Sequence, residues 1–268
     1  MNGPIVGEID GMKFSIITLF PQMFDAFANV GVIGRAVGRG IAEIECINPR
    51  DFAENSYGCV DKRPFGGGPG MVMMAEPLKK SIISISKKHV KSDLVVINFS
   101  PCGQKLDQTL IEEFVSNRGD NNRRYCLICG RYEGIDERFI DKYVDLSISL
   151  GDFIVSGGEV AAFVFLDSLI RRLPGVLGNK ESGIHDSFMD GMLQYPHYTK
   201  PDIFESMEVP AVLKSGDHKA IQSWRREKAI DKTIQSRPDL IRKFIDSGYF
   251  SDAELAYISN RSDCLTRK

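Results

Sequence analysis

The order of apolar and polar positions predicts strands that alternate with helices over the first two thirds of the chain. Continuous apolar runs predict buried strands at 13–20, 94–99, 125–129 and 144–150, an alternating run predicts a half-buried strand at 42–47, and a short extended piece is expected at 153–155. Apolar residues at helical spacing predict helices at 23–28, 31–40, from Glu76, around 106–114 and at 159–172, while 48–72 reads as loop. This alternation favours an α/β fold with a mostly parallel sheet.

The periodicity stops at 179–197 and returns, with helical spacing, after Pro201. Asp217 is expected to cap a long helix that ends near Ser236, and Ser251 with Glu254 matches a capping box for the last helix. We therefore expect an α/β domain at 12–178, an interdomain linker at 179–197 and a small all-helical domain at 198–268.

Composition changes this picture little, but it excludes several classes of protein. The chain has 268 residues, of which 43% are hydrophobic and 26% charged, as in ordinary globular proteins. No apolar run is long enough to cross a membrane, and the first eleven residues contain acids, so we expect neither a membrane span nor a secretory signal. The net charge of −2 does not by itself indicate a nucleic-acid substrate.

The cysteines indicate a reducing compartment and no metal site. The 6 cysteines are few and scattered, which argues against a disulfide framework and predicts a cytoplasmic protein. Cys126 and Cys129 form a C-x-x-C motif, but it lies inside the apolar run YCLIC. Side chains three positions apart on a strand point to opposite faces, so this pair cannot share a metal ion there. We interpret both as buried apolar thiols.

Glycine-rich loops are the strongest candidates for a functional site. One lies at 66–70, and three more, at 100–103, 130–134 and 151–158, each follow a predicted strand. In an open α/β sheet ligands bind beyond the carboxyl ends of the strands, where glycine lets the backbone approach them closely. One such loop is usually only a turn, but three after successive strands predict a ligand site. None matches a dinucleotide-binding or P-loop motif.

Two further positions have an ordinary structural interpretation. Arg171 and Arg172 end a predicted helix, where cations interact favourably with the helix dipole. Asp186 lies in the predicted linker, where aspartate commonly serves a turn. Residue types and spacing alone assign no function to them.

The segments ITLFP, RPFGGGPGMVM, SPCG, CGRYEGIDER, GDFIVSGGE, PGVLGN, DSFMDGMLQYPHYTKP and PAVLKSGDH, taken in chain order, resemble the bacterial tRNA (guanine-N1)-methyltransferase family from Met12 onward. The resemblance implies methylation of guanine N1 at tRNA position 37, beside the anticodon, with S-adenosylmethionine as methyl donor. It also implies a SPOUT-type trefoil knot at the cofactor site and a homodimer whose active sites are built from both subunits.

The resemblance also implies roles for individual residues. The cofactor is expected to contact Phe99, Ser100, Pro101, Gly130, Tyr132, Glu133, Gly134, Leu150, Gly151, Phe153, Val155, Gly157 and Gly158. Asp186 takes the position of the general base, and Arg171 that of an arginine that stabilises charge on guanine O6, both from the opposite subunit. The family resemblance further implies magnesium, for which Glu133 is a candidate anchor, although no metal ligands are assigned.

The helical tail is expected to bind the anticodon arm of tRNA. Phosphate contacts are predicted for Lys214, Arg225, Arg226, Lys228 and Lys232, with a solvated helix face as the alternative. Trp224, inside this basic run, is expected to belong to the core rather than to stack on a base.

Two positions depart from the family pattern. Cys102 stands where glutamine is usual, and Asn98 stands where tyrosine is frequent; contacts through backbone atoms would tolerate both changes. Two other functions remain open from the residues themselves. One is methylation of ribose or another base by a different knotted methyltransferase. The other is a non-catalytic RNA-binding or assembly protein, which would not bind S-adenosylmethionine.

Overall fold

A computed structural model describes residues 11–117, 122–178 and 186–261. The chain divides into two compact units, 1–178 and 179–268. The first part of the predicted linker, 179–185, and the end of the predicted helical domain, 262–268, lie outside the described residues.

The first unit alternates strands and helices. Its elements are β1 (Met12–Ile17), α1 (Gln22–Asn29), α2 (Gly31–Gly38), β2 (Ala42–Ile47), β3 (Asp61–Lys62), β4 (Val72–Met73), α3 (Ala75–Lys88), β5 (Asp93–Lys105), α4 (Gln108–Ser116), β6 (Arg123–Ile128), α5 (Glu137–Tyr143), β7 (Leu146–Ser149) and α6 (Gly158–Ile170). A 5-stranded sheet has the order β2-β1-β6-β5-β7, and all of its neighbouring strands are parallel. This architecture confirms the predicted α/β fold.

Helices cover both faces of the sheet. On one face, Phe14 and Ile97 pack with Phe165 of α6 in a fully buried cluster. On the other face, Ile128 packs with Leu78 of α3. Burying a large apolar side chain contributes about 1.5–3 kcal/mol, so a parallel sheet that is covered on both sides needs the near-continuous apolar strands seen in the sequence.

The C-x-x-C cysteines lie on opposite faces of the sheet, as predicted. Cys126 belongs to the cluster under α3 and Cys129 to the cluster under α6, and both side chains are fully buried. Burial raises the pKa of both thiols well above its ordinary value, so both remain protonated. Their interpretation as apolar core residues is confirmed.

Three local predictions in this unit are wrong. The short helix α5 was missed, although Asp136 caps it by accepting a hydrogen bond from the backbone N–H of Arg138. The predicted loop at 48–72 contains a single 3₁₀ turn, Pro49–Phe52, and the antiparallel β3-β4 pair ends at Met73. Residues 153–155 are not a strand. Elements this short carry too few residues for a periodic signal to emerge.

A buried ionic cluster fastens the edge strand β2 to the sheet. Arg124 on β6 is 2% exposed, and its Nη1 donates to Ser15 Oγ at 3.2 Å and to Glu45 Oε1 at 3.2 Å. Its Nη2 donates to Glu43 Oε1 at 2.7 Å, and His89 beyond α3 contacts Glu45 Oε1 at 2.8 Å. A buried charge is tolerated only when it is paired, so this cluster links three strands to the end of α3.

The same cluster sets the protonation of Glu45. Burial alone raises the pKa of this carboxyl, but hydrogen bonds from Lys88, Ser15 and His89 and the charge of Arg124 together lower it to about 2. Ligand atoms of Glu43, Glu45 and His89 lie within 4.8 Å of one another, a spacing that could also hold a metal ion. Because Arg124 already supplies the positive charge there, we assign the group to ion pairing.

The second unit is helical apart from one small hairpin. Its elements are β8 (Ile203–Phe204), β9 (Met207–Glu208), α7 (Ala211–Lys214), α8 (His218–Ser236), α9 (Pro238–Asp246) and α10 (Asp252–Ser259). Strands β8 and β9 pair antiparallel, which adds a two-stranded ladder to the predicted all-helical unit. No described helix in either unit combines the length and apolarity that crossing a membrane requires.

Both predicted helix caps in the second unit are confirmed. Asp217 accepts hydrogen bonds from the backbone N–H groups of Lys219 and Ala220, and Ser251 with Glu254 forms a capping box. The core of this unit, by contrast, does not contain Trp224. That core includes Met192, Ile230, Ile241 and Phe250, whereas Trp224 is only half-buried, so the prediction that Trp224 is a core residue is wrong.

We expect Glu45→Gln to destabilise the protein at neutral pH and to destabilise it much less near pH 3. A pKa lowered by folding contributes stability that is present above the unfolded value of 4.5 and is lost as the pH falls through about 2. Urea unfolding followed by circular dichroism, near pH 7 and near pH 3, measures the difference in unfolding free energy between variant and wild type. Glu54→Gln, at an exposed ion pair with Lys80, is the control. A difference for Glu45→Gln that does not change with pH would contradict the assignment.

Candidate functional site

A cavity of about 690 Å³ opens at the carboxyl ends of β5, β6 and β7. Its volume lies within the range of small-molecule sites in proteins. Its lining comprises residues 98–102, 130–135, 147–151 and 153–158, together with Glu137, Ile140 and Ala161. Every residue that was predicted to contact the cofactor lies on this wall, so the loops chosen from the sequence do converge in space.

The first wall is a bulge inside β5 and not the turn that the sequence suggested. Phe99 and Gln104 both pair with Ile148 of β7, so residues 100–103 form an insertion between two paired positions. Gly103 is required in this bulge, because a Cβ there would lie 2.5 Å or less from the backbone of Ser147 and Ile148. The insertion brings Ser100 and Pro101 to the cavity while the strand continues to Lys105.

The second wall is the loop that follows β6. Tyr132 has φ 62°, in the left-handed region that residues other than glycine rarely adopt. Hydrogen bonds hold the loop on both sides of this strained residue: Glu133 N–H donates to Met71 O at 2.9 Å, and Gly134 O accepts from Met73 N–H at 2.9 Å. Such strain persists only where the surrounding structure holds it.

The glycine-rich loop at 66–70 supports this second wall from outside the cavity. Gly70 has φ +78°, and a Cβ there would lie 2.4 Å from the Glu133 side chain. Phe65, next to the glycines, is 99% exposed. The loop therefore packs its backbone directly against Glu133.

The third wall is the chain that leads from β7 into α6. Gly158 N–H donates to Gly130 O at 2.8 Å. A Cβ on Gly158 would lie 2.7 Å from both Cys129 Cα and Gly130 N, so a larger residue must displace the second wall. The beginning of α6 is in this way pressed against the end of β6.

Three side chains that the sequence did not single out join these walls. Glu159 is fully buried and accepts hydrogen bonds from Thr18 Oγ1 and from Arg131 Nε, each at 2.8 Å. Arg131 also donates to Ser156 O at 3.1 Å, and its guanidinium lies 4.5 Å from the centre of the Phe20 ring. The available signal was an acidic residue in the first turn of the otherwise apolar run VAAFVFL, where a buried charge requires a partner.

The wall also has an unsatisfied polar atom. Asn98 is 6% exposed, and its Oδ1 is buried without a hydrogen-bond partner among the described residues. Leaving such an atom unsatisfied costs about 1–3 kcal/mol, so a polar group bound in the cavity would recover part of this cost. Glu133 and Glu137 also line the cavity, whereas Arg131 is already paired with Glu159. The wall therefore carries an excess of negative charge, which suits a sulfonium cation.

The two predicted catalytic residues do not lie on this wall. Arg171 occupies the C-cap of α6, one residue beyond the helix that was predicted to include it. Asp186 belongs to the second unit, where it is half-buried and its backbone carbonyl accepts a hydrogen bond from Met189 N–H. The cavity wall consists wholly of first-unit residues, and the roles given to Arg171 and Asp186 stay predictions.

Comparison with known proteins shows that the chain belongs to a known family. Residues 12–243 match the family model described as tRNA (Guanine-1)-methyltransferase TrmD. A tRNA (guanine-N(1)-)-methyltransferase of Pseudoalteromonas translucida is 50% identical over 234 residues, which is 87% of this chain and 89% of that protein. Proteins of the same name from Albidiferax ferrireducens and Herminiimonas arsenicoxydans are 46% and 43% identical, each over 93% of this chain and 100% of their own length.

We expect Gly158→Ala to damage the cavity and Gly38→Ala to leave it intact. The added methyl group at 158 meets backbone atoms of the second wall, and such overpacking typically costs about 1–3 kcal/mol. Position 38 has no neighbour within 4 Å, so alanine there stabilises by about 0.4–1 kcal/mol through the unfolded state. Urea unfolding measures both effects, and calorimetric titration with S-adenosylmethionine should show weakened binding for Gly158→Ala alone. Equal binding by the two variants would refute the packing role of Gly158.

Proposed function

We propose that this chain, which belongs to the tRNA (guanine-1)-methyltransferase family, methylates ring nitrogen N1 of the guanine at tRNA position 37 with S-adenosylmethionine as methyl donor. Membership of the family makes it a methyltransferase enzyme that acts on tRNA, so the alternative of a non-catalytic RNA-binding protein is wrong. The observation that carries the finer proposal is the convergence of three separate chain segments on one cavity, at the positions that the resemblance assigned. The proposed cytoplasmic location and the magnesium requirement stay predictions.

The residues of the cavity would hold the donor mainly through the backbone. The chain segments 99–101, 130–134, 150–151 and 153–158 line the cavity, and Asn98 Oδ1 can accept one further hydrogen bond. The donor supplies a methyl group on a cationic sulfur, which is an electrophile. The carboxylates of Glu133 and Glu137 favour that charge, and the exposed side chains of Tyr132 and Phe153 at the cavity can cover it from water.

The chain must also remove a proton from its substrate. Guanine N1 carries a hydrogen near neutral pH, so its lone pair becomes available for attack only when a base accepts that proton. Asp186 is the proposed base. General base catalysis by a positioned side chain typically increases the rate by about 10²–10⁴-fold. Arg171 is proposed to stabilise the negative charge that develops on guanine O6, and the cavity would hold the donor beside the bound base.

The position of Arg171 supports a site that is shared between two copies of the chain. Arg171 is not among the residues lining the cavity of its own chain, so its proposed role requires the cavity of a second copy. The apolar side chains of Met23 on α1, of Val30 at the C-cap of α1, and of Val160 and Val164 on α6 are 38–69% exposed, as expected of a surface that a second copy covers. We propose a symmetric homodimer on these grounds.

The trefoil knot belongs to the same proposal. The segment between β7 and α6 lies against the loop after β6, where Gly158 N–H donates to Gly130 O. This close contact is in keeping with a knotted cofactor site of the kind that the resemblance implies.

The ion pairs of the second unit show which of the five cations predicted to contact tRNA phosphates already have a carboxylate partner. Arg226 donates to Glu254 Oε1 at 2.6 Å and to Asp190 Oδ2 at 3.1 Å. Two of the other predicted contacts are also paired, Lys228 with Asp231 at 3.1 Å and Lys214 with Asp202 at 3.6 Å. Within the part of the chain that the structure describes, Arg225 and Lys232 have no carboxylate partner. These two cations are therefore the strongest candidates for phosphate contacts.

We expect Asp186→Asn to keep S-adenosylmethionine binding and to lose turnover by about 10²–10⁴-fold, because only the proton acceptor is removed. The measurement is methyl transfer from labelled donor to an unmodified tRNA transcript, followed by mapping of the methylated base. Asp246→Asn, at an exposed acid of the same unit, should leave turnover unchanged. Near-normal turnover of Asp186→Asn would remove that residue from its proposed role.

Mixing variants tests the shared site. Arg171→Ala lacks the charge-stabilising group, and Gly157→Ala places a Cβ 2.3 Å from Arg131 Nε and disturbs the cavity. Mixed dimers should regain about a quarter of wild-type activity, because random exchange puts half of the chains in mixed dimers that each carry one intact site. A mixture of Arg171→Ala and Asp186→Asn should regain none, since both defects then lie on the same side of the shared site. Equal recovery in the two mixtures, or none in either, would exclude this arrangement.

A further inference from the structure

The second unit exposes aromatic rings beside cations that have no carboxylate partner among the described residues. Tyr198 is 48% exposed, and its ring lies 6.2 Å from that of the half-buried Trp224 on α8. The next residue of α8, Arg225, lies with its guanidinium carbon 5.0 Å from the centre of the Tyr195 ring, which in turn contacts His197 at 4.8 Å. We name these five residues the aromatic–cation surface.

The geometry leaves ring faces open. The planes of Tyr198 and Trp224 are tilted by 56° to one another, so the two rings do not cover each other as a stacked pair would. About half of the Tyr198 surface is left exposed. A flat apolar partner could therefore lie against Tyr198 without any rearrangement of the core.

A second aromatic cluster in the same unit has a structural role and offers a comparison. Phe244, Tyr249 and Phe250 contact one another, and Phe250 is only 6% exposed. Its cation, Arg226, lies 5.3 Å from the Tyr249 ring and is held by the carboxylate of Glu254. The cation of that cluster is neutralised by carboxylates of the same unit, whereas Arg225 of the aromatic–cation surface has no carboxylate partner among the described residues.

The charge of the neighbouring helix face indicates the chemistry of the partner. Arg225 and Lys232 are seven residues apart on α8 and therefore share a face. Both are exposed, and neither has a carboxylate partner in the described ranges. Flat rings beside a positive stripe suit a single-stranded nucleic acid, whose bases stack on aromatic side chains while its phosphates contact cations.

We propose that the aromatic–cation surface binds an unpaired nucleobase of the tRNA by stacking it on Tyr198 beside Trp224, with Arg225 and Lys232 on the adjoining phosphates. The proposal rests on the proposed function, because it takes tRNA as the ligand. The contacts predicted from the sequence for the second unit are all to phosphates, and this proposal adds a contact to an unpaired base.

The chain contains a single tryptophan, which makes the contact directly observable. Base stacking next to Trp224 should change its fluorescence when an RNA hairpin with an unpaired loop is titrated into the full-length protein without methyl donor. A blunt RNA duplex of the same stem carries the phosphates but no unpaired base, and it should leave the fluorescence nearly unchanged. Equal responses to hairpin and duplex would overturn the proposal.

Variants of the exposed ring test the energetics. Tyr198→Ala should weaken hairpin binding by about 5- to 150-fold, the range expected for the loss of one stacking ring, while Tyr198→Phe keeps a flat face and should bind as wild type does. Tyr57→Ala, which removes an 87% exposed tyrosine of the first unit, is the matched control. Circular dichroism and calorimetric binding of S-adenosylmethionine should be unchanged in all three. Wild-type hairpin affinity in Tyr198→Ala would overturn the proposal, and would point instead to a protein partner for this surface.

The failure of this inference can be told from failure of the proposed function. Methyl transfer by the wild-type chain without any hairpin-specific fluorescence change refutes the stacking contact alone. A hairpin-specific change that Tyr198→Ala abolishes, in a wild-type chain that does not methylate guanine N1, refutes the proposed reaction alone.

Discussion

The close approach of two backbone segments, where the chain entering α6 lies against the end of β6, is the constraint on which the rest of the site depends. Gly158 has no room for a side chain against Cys129 and Gly130, and its N–H donates to Gly130 O. This contact holds the segment that enters α6 against the loop after β6, and residues of both segments line the cavity. Glycine is required at this position by backbone contact, and so the pattern SGGE has a structural cause.

The buried carboxylate of Glu159 then joins the segments that meet at this contact. Glu159 links the end of β1 to the loop after β6 through Thr18 and Arg131, and Arg131 reaches on to Ser156. Because Arg131 is already paired with Glu159, the carboxylates of Glu133 and Glu137 give the cavity wall an excess of negative charge. The same pairing that satisfies a buried carboxylate therefore also shapes the field that a cationic methyl donor would meet.

The two units divide the proposed work. The first unit supplies a covered parallel sheet and the cavity at its carboxyl edge, whereas Asp186 and the basic helix α8 belong to the second unit. Within α8, Arg226 is paired with Glu254, whereas Arg225 and Lys232 have no carboxylate partner in the part of the chain that the structure describes. Ion pairing thus separates residues of one chemical type into structural and binding roles, a distinction that a count of lysines and arginines cannot make.

The sequence by itself determined the order of the main elements, the α/β class and the loops that line the cavity, because apolar runs, helical spacing and glycine at strand ends are local signals. It also placed Cys126 and Cys129 on opposite faces, since alternation along a strand is local. Only the tertiary structure revealed the bulge at 100–103, the partners of Glu159 and the exposure of Trp224. Each of these depends on residues far apart in the chain, such as Thr18 and Glu159, which only the folded backbone brings together.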